Sequence, residues 1–419
     1  MRRFLACTAF CVINAASVVA QPLPETSPES AGMSSVRLQR IEAALNREIE
    51  QGNMPGAVVA IARGGNLVYY EAFGYLDKES GTPMRKDAIF AIASMTKPVV
   101  AVGAMLLYEE GLMLMDDPVS TYLPELNNRT VAVDGNPAQT ESARRAPTIE
   151  DLLRHTAGYT YGNQGSTALH AVYPSGSSAA ARSLDASSFL QALADLPLHH
   201  QPGTVWDYGF GLDIAGLAIE RITDKTLGEF FEERILEPLG MNDTAFVVPA
   251  ARMQRLARPL PNDPLSGSPQ SMPDLSKPLR FECGGGCLTS TALDYMAFAQ
   301  MLLNKGELNG RRLLAPGVVE YMTSDHADPE IDLSLLHAYP SLHLDGHGFG
   351  LGVAVRRATG LGGAIGSPGA FHWSGAYGTA FWVDPQRELA IVLMAQTPGR
   401  IRERNRQLLP ILVYQAIVD

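Results

Sequence analysis

The stretch that decides the fold is ASMTKPVVAVGAMLLYEEG, residues 93–111. For a run of ten residues beginning at Pro98 it contains no polar side chain, and a helix that is apolar on every side has to be buried. A proline suits the first helical turn, because its missing N–H would have no helical partner there. Polar residues, Ser94 and Lys97 among them, come just before this run. The stretch therefore predicts a buried helix with polar groups at its N-terminal tip.

Ser94 and Lys97 are the candidate reactive pair. Residues three apart share one face of a helix, so the hydroxyl and the amine can meet. Burial disfavours the charged form of a lysine, and a neutral amine beside a hydroxyl can activate a serine nucleophile. The alternative is that Ser94 caps the helix and Lys97 reaches the surface. The nucleophile interpretation is favoured because no other lysine in the chain has a serine three residues before it.

Length and charge limit the classes of function. A chain of 419 residues forms one large domain or two intimately joined ones. The net charge of -11 argues against nucleic acid as a partner, because phosphate binding requires clustered cations. A hydrophobic content of 46% is ordinary for a globular protein.

Residues 1–20 have the pattern of a secretory signal peptide. Arg2 and Arg3 are followed by an apolar run and a small-residue cleavage site ending at Ala20. A buried first helix and a lipid-acylated Cys7 are the weaker alternatives. No later segment is long and apolar enough to cross a bilayer, so no stable membrane insertion is expected. The predicted location is the periplasm or the extracellular medium.

Cys283 and Cys287 are the cysteines that remain after the signal peptide is removed. An oxidising compartment permits a disulfide between them. An extended backbone would hold their Cα atoms beyond the bridging limit of roughly 7 Å, so a bond requires a tight turn in the three intervening glycines. The sequence leaves this pairing open. Two cysteines without a histidine pattern make a poor metal site, so neither a metal nor a cofactor is expected.

The order of predicted elements indicates an α+β fold. Strand patterns occur at 57–62 and 67–73, and again at 349–356, 370–373, 379–383 and 389–395, with helical patterns and long loops between the two groups. One antiparallel sheet built from both ends of the chain, flanked by helices, would explain this order. The predicted organisation is a sheet part made of residues 21–115 and 281–419, with an all-helical subdomain, residues 116–280, inserted in it. The small polar stretch 163–187 is predicted to be a surface flap.

Several further motifs accompany the Ser94 stretch. They read LLRHTAG (152–158), PGTVWDYG (202–209), PLGM (238–241), FECGGGCLTST (281–291) and FHWSGAYG (371–378). Together with Ser94-Met95-Thr96-Lys97, these motifs resemble the serine-reactive superfamily of class C β-lactamases, D,D-peptidases and family VIII carboxylesterases. The resemblance covers nearly all of the mature chain and implies a β-lactamase-like fold.

The resemblance also implies roles for particular residues. Ser94 would be the acylated nucleophile, and Lys97 and Tyr208 would share the proton transfers. A lysine cation near Tyr208 would favour the phenolate, which can act as a base. Residues 373–375 (Trp373, Ser374 and Gly375) stand where β-lactamases have Lys-Thr-Gly and would bind substrate. The backbone N–H groups of Ser94 and Ala376 would then form the oxyanion hole.

Two departures from the β-lactamase pattern indicate the kind of substrate. Phe210 replaces the amide that β-lactamases place two residues after the tyrosine, and Trp373 replaces a lysine that would face a carboxylate. Both changes remove a side chain that could bind polar groups of a substrate and add apolar surface to the site, so they favour neutral esters as substrates. His155 and His372 are expected to be structural. An α/β-hydrolase elbow is excluded, because the chain contains no G-x-S-x-G.

The sequence therefore predicts an exported serine hydrolase that cleaves short-chain or aryl esters through an acyl-enzyme on Ser94. A β-lactamase or D,D-peptidase of the same fold is the first alternative, and an acyltransferase is another. The least favoured alternative is a catalytically silent relative that only binds. The expected partner is a small-molecule ester or β-lactam. The oligomeric state stays open.

Overall fold

An eight-stranded antiparallel sheet forms the centre of the molecule, with its strands in the order 347–349, 354–356, 371–374, 380–384, 389–395, 56–63, 66–77 and 82–83. The structure is a computed structural model that describes residues 23–339, 344–363 and 365–419. The predicted signal peptide, residues 1–20, lies outside the described residues. The strands are β1 (Gly56–Arg63), β2 (Asn66–Asp77), β3 (Thr82–Pro83), β4 (Phe90–Ala91), β5 (Thr130–Val133), β6 (Asn136–Ser142), β7 (Thr289–Ser290), β8 (Glu307–Leu308), β9 (Arg311–Arg312), β10 (His347–Phe349), β11 (Ala354–Arg356), β12 (Phe371–Ser374), β13 (Ala380–Asp384) and β14 (Leu389–Ala395).

Helices cover both faces of this sheet. They are α1 (Ser35–Glu50), α2 (Thr96–Glu109), α3 (Ile149–Leu153), α4 (Ser177–Ser183), α5 (Ala186–Ala194), α6 (Gly211–Thr223), α7 (Leu227–Phe231), α8 (Glu237–Leu239), α9 (Ala292–Leu303), α10 (Pro316–Met322), α11 (Ser334–His337) and α12 (Ile401–Tyr414). No helix in the described part of the chain is long and apolar enough to cross a membrane.

Strand β1 shows why the sheet needs two helical layers. Its residues from Gly56 to Ala62 are all buried, and successive side chains of a strand point to opposite faces. Val59 belongs to the apolar cluster that contains α1 and α12 residues, whereas Val58 belongs to the larger cluster that contains α2 and α9 residues. The strand pairs with β2 on one side and with β14 on the other. Strands from both ends of the chain therefore meet at the middle of the sheet.

The predicted α+β architecture is confirmed, with two differences in detail. The segment between the two sheet parts is mainly helical, but it also contains the β5–β6 hairpin. The predicted strand 349–356 is instead two antiparallel strands, β10 and β11, in which His347 pairs with Arg356. The chain reverses between them at Gly352, whose φ of 81° is a conformation that favours glycine.

Helix α2 is buried as its sequence predicts. Every residue from Thr96 to Leu107 is buried, and the helix lies against α6 in the part of the chain between the two halves of the sheet. Gly103 makes close packing possible here, because an added Cβ would lie 3.1 Å from the ring of Phe230. The buried helix ends after Glu109, and Gly111 has a φ of 71°. Its N-terminal tip is thereby fixed between the sheet and the helical region.

Candidate active site

Ser94 lies in a tight turn, Ala93–Met95, immediately before α2. Ala93 has a φ of 45°, which is uncommon for a residue with a side chain and is often found at functional sites. Thr96 holds this turn in place: its hydroxyl donates to the carbonyl of Ala93 at 2.7 Å and accepts from the amide of Leu288 at 3.1 Å. The conformation before Ser94 is thus maintained by groups from two segments.

Lys97 is almost fully buried, with 1% of its surface exposed. Its Nζ lies 3.4 Å from Oγ of Ser94, 3.2 Å from the hydroxyl of Tyr161 and 2.5 Å from the carbonyl oxygen of Gly285. Burial lowers the pKa of Lys97 to about 7, and the nearby carboxylate of Asp213 opposes that change. The neutral amine is therefore accessible near neutral pH, within reach of the serine hydroxyl.

Tyr208 packs beside the same lysine, whose Nζ is 4.5 Å from the centre of the tyrosine ring. Burial raises the pKa of Tyr208 above its ordinary value, and interactions with Ser94 and Trp373 oppose the rise only in part. The expectation of a phenolate is therefore wrong for the free protein. The physical reason is that burial penalises the anion more than the interactions with Ser94 and Trp373 stabilise it. Tyr208 keeps its proton and can donate it.

A chain of buried hydrogen bonds behind Lys97 was missed at the sequence level. The hydroxyl of Tyr161 lies 2.7 Å from Oγ of Ser177, which in turn donates to Oδ2 of Asp213 at 2.7 Å. Burial raises the pKa of Asp213, and the charge of Lys97 opposes that rise. Ser177 begins α4 inside the stretch predicted to be a surface flap, and that prediction is wrong at this position. The available signal was that Asp213 is the only polar residue among the first nine residues of α6.

The glycine run brings a third segment to Lys97. Cys283 and Cys287 form a disulfide with Cα atoms 5.4 Å apart, so the tight turn that the bond requires is present. Inside it, the amide of Gly285 donates to Oδ1 of Asp213 at 2.8 Å, while its carbonyl accepts from Lys97. A Cβ at Gly285 would lie 2.2 Å from Oγ of Ser177, so no other residue fits without displacing the network.

The sheet supplies the opposite side of Ser94 through the turn after β12. The amide of Gly375 donates to the carbonyl of Thr379 at 2.9 Å, and the hydroxyl of Thr379 donates to the carbonyl of Ile92 at 3.2 Å. A Cβ at Gly375 would lie 2.1 Å from that same carbonyl oxygen of Ile92. The turn is therefore pressed against the backbone that leads to Ser94, and this contact places Ala376 beside the nucleophile.

One cavity joins these groups. It is lined by Ser94, Tyr208, Tyr339, Trp373, Ser374, Gly375, Ala376, Arg402 and Arg406. Both residues of the predicted oxyanion hole and all three residues of the Trp-Ser-Gly motif border it. Tyr339 and the two arginines of α12 were not singled out from the sequence. The arginines hold the turn itself, because Arg402 donates to the carbonyl of Ala376 and Arg406 donates to the carbonyl of Gly375.

Phe210 does not reach this cavity. Its ring is fully buried in the described structure, 4.5 Å from the ring of Tyr161 and 5.2 Å from that of Phe189. The prediction that Phe210 contacts substrate is therefore wrong. The physical reason is that α6 starts at the next residue and that Gly209 packs closely on the backbone of Tyr159, so the phenylalanine side chain points into the core. The side chain near Lys97 is instead that of Tyr161.

Of the two histidines expected to be structural, His155 is buried and His372 is half-buried. Burial lowers the pKa of His155 and of His372 well below the ordinary value. The ring of His155 packs 4.7 Å from that of Tyr208 and 5.5 Å from that of Phe349. Such neutral imidazoles act here as packing groups.

The chain belongs to the Beta-lactamase family, whose model it matches over residues 38–415. Protein Rv1367c of Mycobacterium tuberculosis is 36% identical over 85% of this chain and 89% of its own length. Esterase EstB of Burkholderia gladioli is 27% identical over 85% and 90%, respectively. Monacolin J acid methylbutanoyltransferase of Aspergillus terreus is 30% identical over 78% and 80%. The relatives therefore include both esterases and acyltransferases.

Solved structures agree with the family assignment at the level of the fold. The structure titled EstCE1, a hydrolase with promiscuous acyltransferase activity, matches with a TM-score of 0.73 and 24% identity. The match covers 92% of this chain and 99% of that one. The β-lactamase-like fold implied by the motifs is thus confirmed, and the protein is an enzyme of the serine hydrolase type.

Proposed function

We propose that this protein is an exported serine hydrolase that cleaves short-chain or aryl carboxylic esters through an acyl-enzyme on Ser94. The observation that carries the proposal is the contact between Ser94 and a buried Lys97 whose pKa is lowered to about 7. A base with a pKa near the working pH is suited to remove the proton of an attacking hydroxyl.

The reaction would proceed in two halves. The amine of Lys97 takes the hydroxyl proton as Oγ of Ser94 bonds to the ester carbon, and the carbonyl electron pair moves to oxygen. The backbone N–H groups of Ser94 and Ala376 stabilise that charge, a donor being worth about 2.7–4 kcal/mol in comparable sites. The ester C–O bond then breaks, Tyr208 passes a proton to the departing alcohol, and the proton held by Lys97 passes to Tyr208, so that both groups return to their starting states. Water repeats the sequence on the acyl-enzyme and releases the acid.

The nature of the cavity supports an uncharged substrate. Trp373 borders it where β-lactamases have a lysine. The aromatic ring offers apolar contact to an acyl or aryl group. An acyltransferase is the second candidate, because a relative that is 30% identical is named a methylbutanoyltransferase.

The test compares initial rates on nitrophenyl esters of increasing chain length with those on a chromogenic cephalosporin. Short esters should be turned over faster, with a burst of nitrophenol that marks the acyl-enzyme. Faster turnover of the cephalosporin would overturn the ester proposal in favour of a β-lactamase. Adding an alcohol acceptor distinguishes the second candidate: transfer that outcompetes hydrolysis at millimolar acceptor would make the protein an acyltransferase.

Export is the remaining part of the proposal. If residues 1–20 are a cleaved signal peptide, the mature chain begins at Gln21. N-terminal sequencing of periplasmic or culture-fluid protein checks this directly. A lipid-bearing chain beginning at Cys7, or an uncleaved cytoplasmic product, would contradict it without affecting the proposed chemistry.

A further inference from the structure

Three side chains with metal-binding atoms meet next to the loop that carries Tyr208. His199 and His200 follow α5, and Asp207 immediately precedes the tyrosine. The nitrogen and oxygen atoms that could bind an ion lie within 4.8 Å of one another. Nδ1 of His199 is 2.7 Å from Oδ2 of Asp207, and Nε2 of His200 is 3.7 Å from the same oxygen. No metal was predicted from the sequence, in which the cysteines lack a histidine pattern, and these three residues come together only in the fold.

One of these atoms lacks a partner. Nε2 of His200 is buried and has no hydrogen-bond partner within the described part of the chain. Its distance of 3.7 Å from the carboxylate of Asp207 is too long for a hydrogen bond. A buried polar atom left without a partner is costly, so native proteins usually satisfy such atoms with another group, a water molecule or an ion.

Neighbouring residues contact two of the three side chains, those of Asp207 and His199. The amide of Asp207 donates to the carbonyl of His155 at 2.8 Å, and the hydroxyl of Thr160 lies 3.5 Å from its Oδ1. The ring of His170 packs edge-on against that of His199, with centroids 4.7 Å apart. Metal ligands in proteins are commonly held by a surrounding layer of this kind. Oδ2 of Asp207 is thus left as the oxygen that faces both imidazoles.

The remaining side of the cluster opens into a surface cavity. That cavity is bordered by His199 and His200, by the acidic Asp134 and Glu141, and by one cation, Arg144. Two imidazole nitrogens and one carboxylate oxygen, with an open position for water, are a typical ligand set for zinc. Zinc bonds of about 2.0–2.2 Å place neighbouring ligand atoms roughly 3.4 Å apart in a tetrahedron. Two of the three observed separations, 2.7 and 3.7 Å, bracket that spacing, and all three lie within 4.8 Å. The 2.7 Å contact is a hydrogen bond, which the ion would replace.

We propose that His199, His200 and Asp207 form a binding site for a divalent transition-metal ion of the zinc type, which ties together the two ends of the loop before Tyr208. The ion would bond to Nδ1 of His199, Nε2 of His200 and Oδ2 of Asp207, and water would complete the tetrahedron. Its place is outside the cavity at Ser94, since none of the three residues lines that cavity. The expected role is to stabilise the loop rather than to take part in ester cleavage.

The test measures zinc binding directly. Protein stripped with a chelator is dialysed against Zn²⁺ and the bound metal is quantified, and the melting temperature is recorded with and without the ion. Wild type should bind one zinc per chain and melt at a higher temperature when loaded. In His200→Gln the affinity for zinc should fall by roughly a hundredfold or more, because losing even a residue that only hydrogen-bonds to a metal ligand costs about 10–100-fold in affinity. Failure of wild type to bind zinc would overturn the proposal.

His326→Gln is the matched control. Its imidazole is also paired with a carboxylate, that of Glu150 at 2.8 Å, but it does not belong to the three-residue cluster. Zinc binding should be unchanged in this variant, and an equal loss in both variants would contradict the assignment. If His200→Gln does not fold, wild type loaded with Co²⁺ decides the matter. A tetrahedral visible spectrum that zinc displaces supports the site, and its absence overturns it.

Discussion

Ser94 stands between two regions of opposite character. On the side of the helical region, Lys97 contacts Tyr161, and buried hydrogen bonds continue through Ser177 to Asp213. On the side of the sheet, the serine faces the turn after β12, with its backbone amides and the ring of Trp373. One region consists of titratable groups, whereas the other consists of fixed backbone and aromatic surface.

The difference follows from what each region has to do. Proton transfer depends on charge, and burial sets the charge of a group by penalising its ionised form. Recognition of a carbonyl depends on geometry, which a strand paired on both sides provides. β12 pairs with β11 and β13, with Trp373 opposite Phe381 in the ladder. The two regions should therefore respond differently to substitution: the polar one through pH dependence, and the sheet one through substrate affinity and rate.

Ser94→Ala affects both regions at once and should have the largest effect. Without the nucleophile no acyl-enzyme forms, so ester turnover should fall by roughly a thousandfold or more. The side chain is small and lies in a short turn, so the melting temperature should stay within a few degrees of wild type. A fluorophosphonate probe should label wild type at this residue alone, as peptide mapping can check. Labelling that persists in the Ser94→Ala variant would show that Ser94 is not the nucleophile, and the comparison of the two regions around it would then fail.

Trp373→Lys tests the sheet region. The substitution removes apolar contact and places a cation beside the nucleophile, so kcat/KM for short esters should fall roughly tenfold or more, because burying an aromatic ring is worth about 1.5–3 kcal/mol. The rising limb of the pH profile is measured in parallel. Trp373→Phe, which keeps an apolar ring, is the control and should lose much less. Equal losses in the two variants would show that ring shape, rather than apolar contact, matters.

Because Phe210 lies outside the cavity, the substitution that is combined with Trp373→Lys to test for β-lactam acylation should be made at another residue. From the sequence, Phe210→Asn would restore the amide of a β-lactamase, but this ring lies in the core behind Tyr161. Emptying that core site would cost about 3–5 kcal/mol of folding stability. Tyr161→Asn places an amide near Lys97, and because the Tyr161 ring is buried too, its loss should cost a similar amount of folding stability, which the melting temperature records. Combined with Trp373→Lys, it should raise cephalosporin acylation from a low base, measured as cephalosporin-dependent loss of probe labelling.

Local patterns were enough to predict much of this site. Three of its features are visible within short segments of sequence: the apolar run of α2, the i, i+3 spacing of Ser94 and Lys97, and the glycine run near Lys97. Ser177 could not be found this way, because it is ordinary in its own stretch. Asp213 is an acid among apolar residues, but its role arises only through contact with the distant Lys97 and Gly285. The protonation of Tyr208 depends on complete burial, which only the assembled fold defines.

Asp213→Asn tests the polar region and should act mainly on pH dependence. The rate of wild type should rise with pH through the pKa of Lys97, about 7, as the amine becomes neutral. The carboxylate of Asp213 raises that pKa, so its removal should move the midpoint to lower pH. The plateau should fall roughly fivefold, because one hydrogen bond is worth about 1 kcal/mol. kcat/KM measured from pH 5 to 9 provides the profile.

Asp294→Asn is the matched control for that experiment. It is also a buried aspartate, with its pKa raised to about 6 by burial, but it bonds to Thr244 beside α9 rather than to the Lys97 network. Its pH profile should keep the wild-type midpoint. A midpoint that stays in place in Asp213→Asn, or moves upward, would mean that the carboxylate does not act on the lysine.

Replacement of both cysteines, Cys283→Ser with Cys287→Ser, should have the smallest effect on activity. The bond closes a short loop, and in the chain-entropy account such a loop contributes about 2 kcal/mol to folding stability. Melting temperature should therefore fall, and reductant should lower it in wild type but not in the variant. Gly285 would still be oriented by the carboxylate of Asp213, so kcat should fall only about twofold. KM should stay constant, because the disulfide lies on the polar side and the substrate rests against the sheet side. A raised KM with an unchanged kcat would show that the two regions do not divide recognition and proton transfer between them.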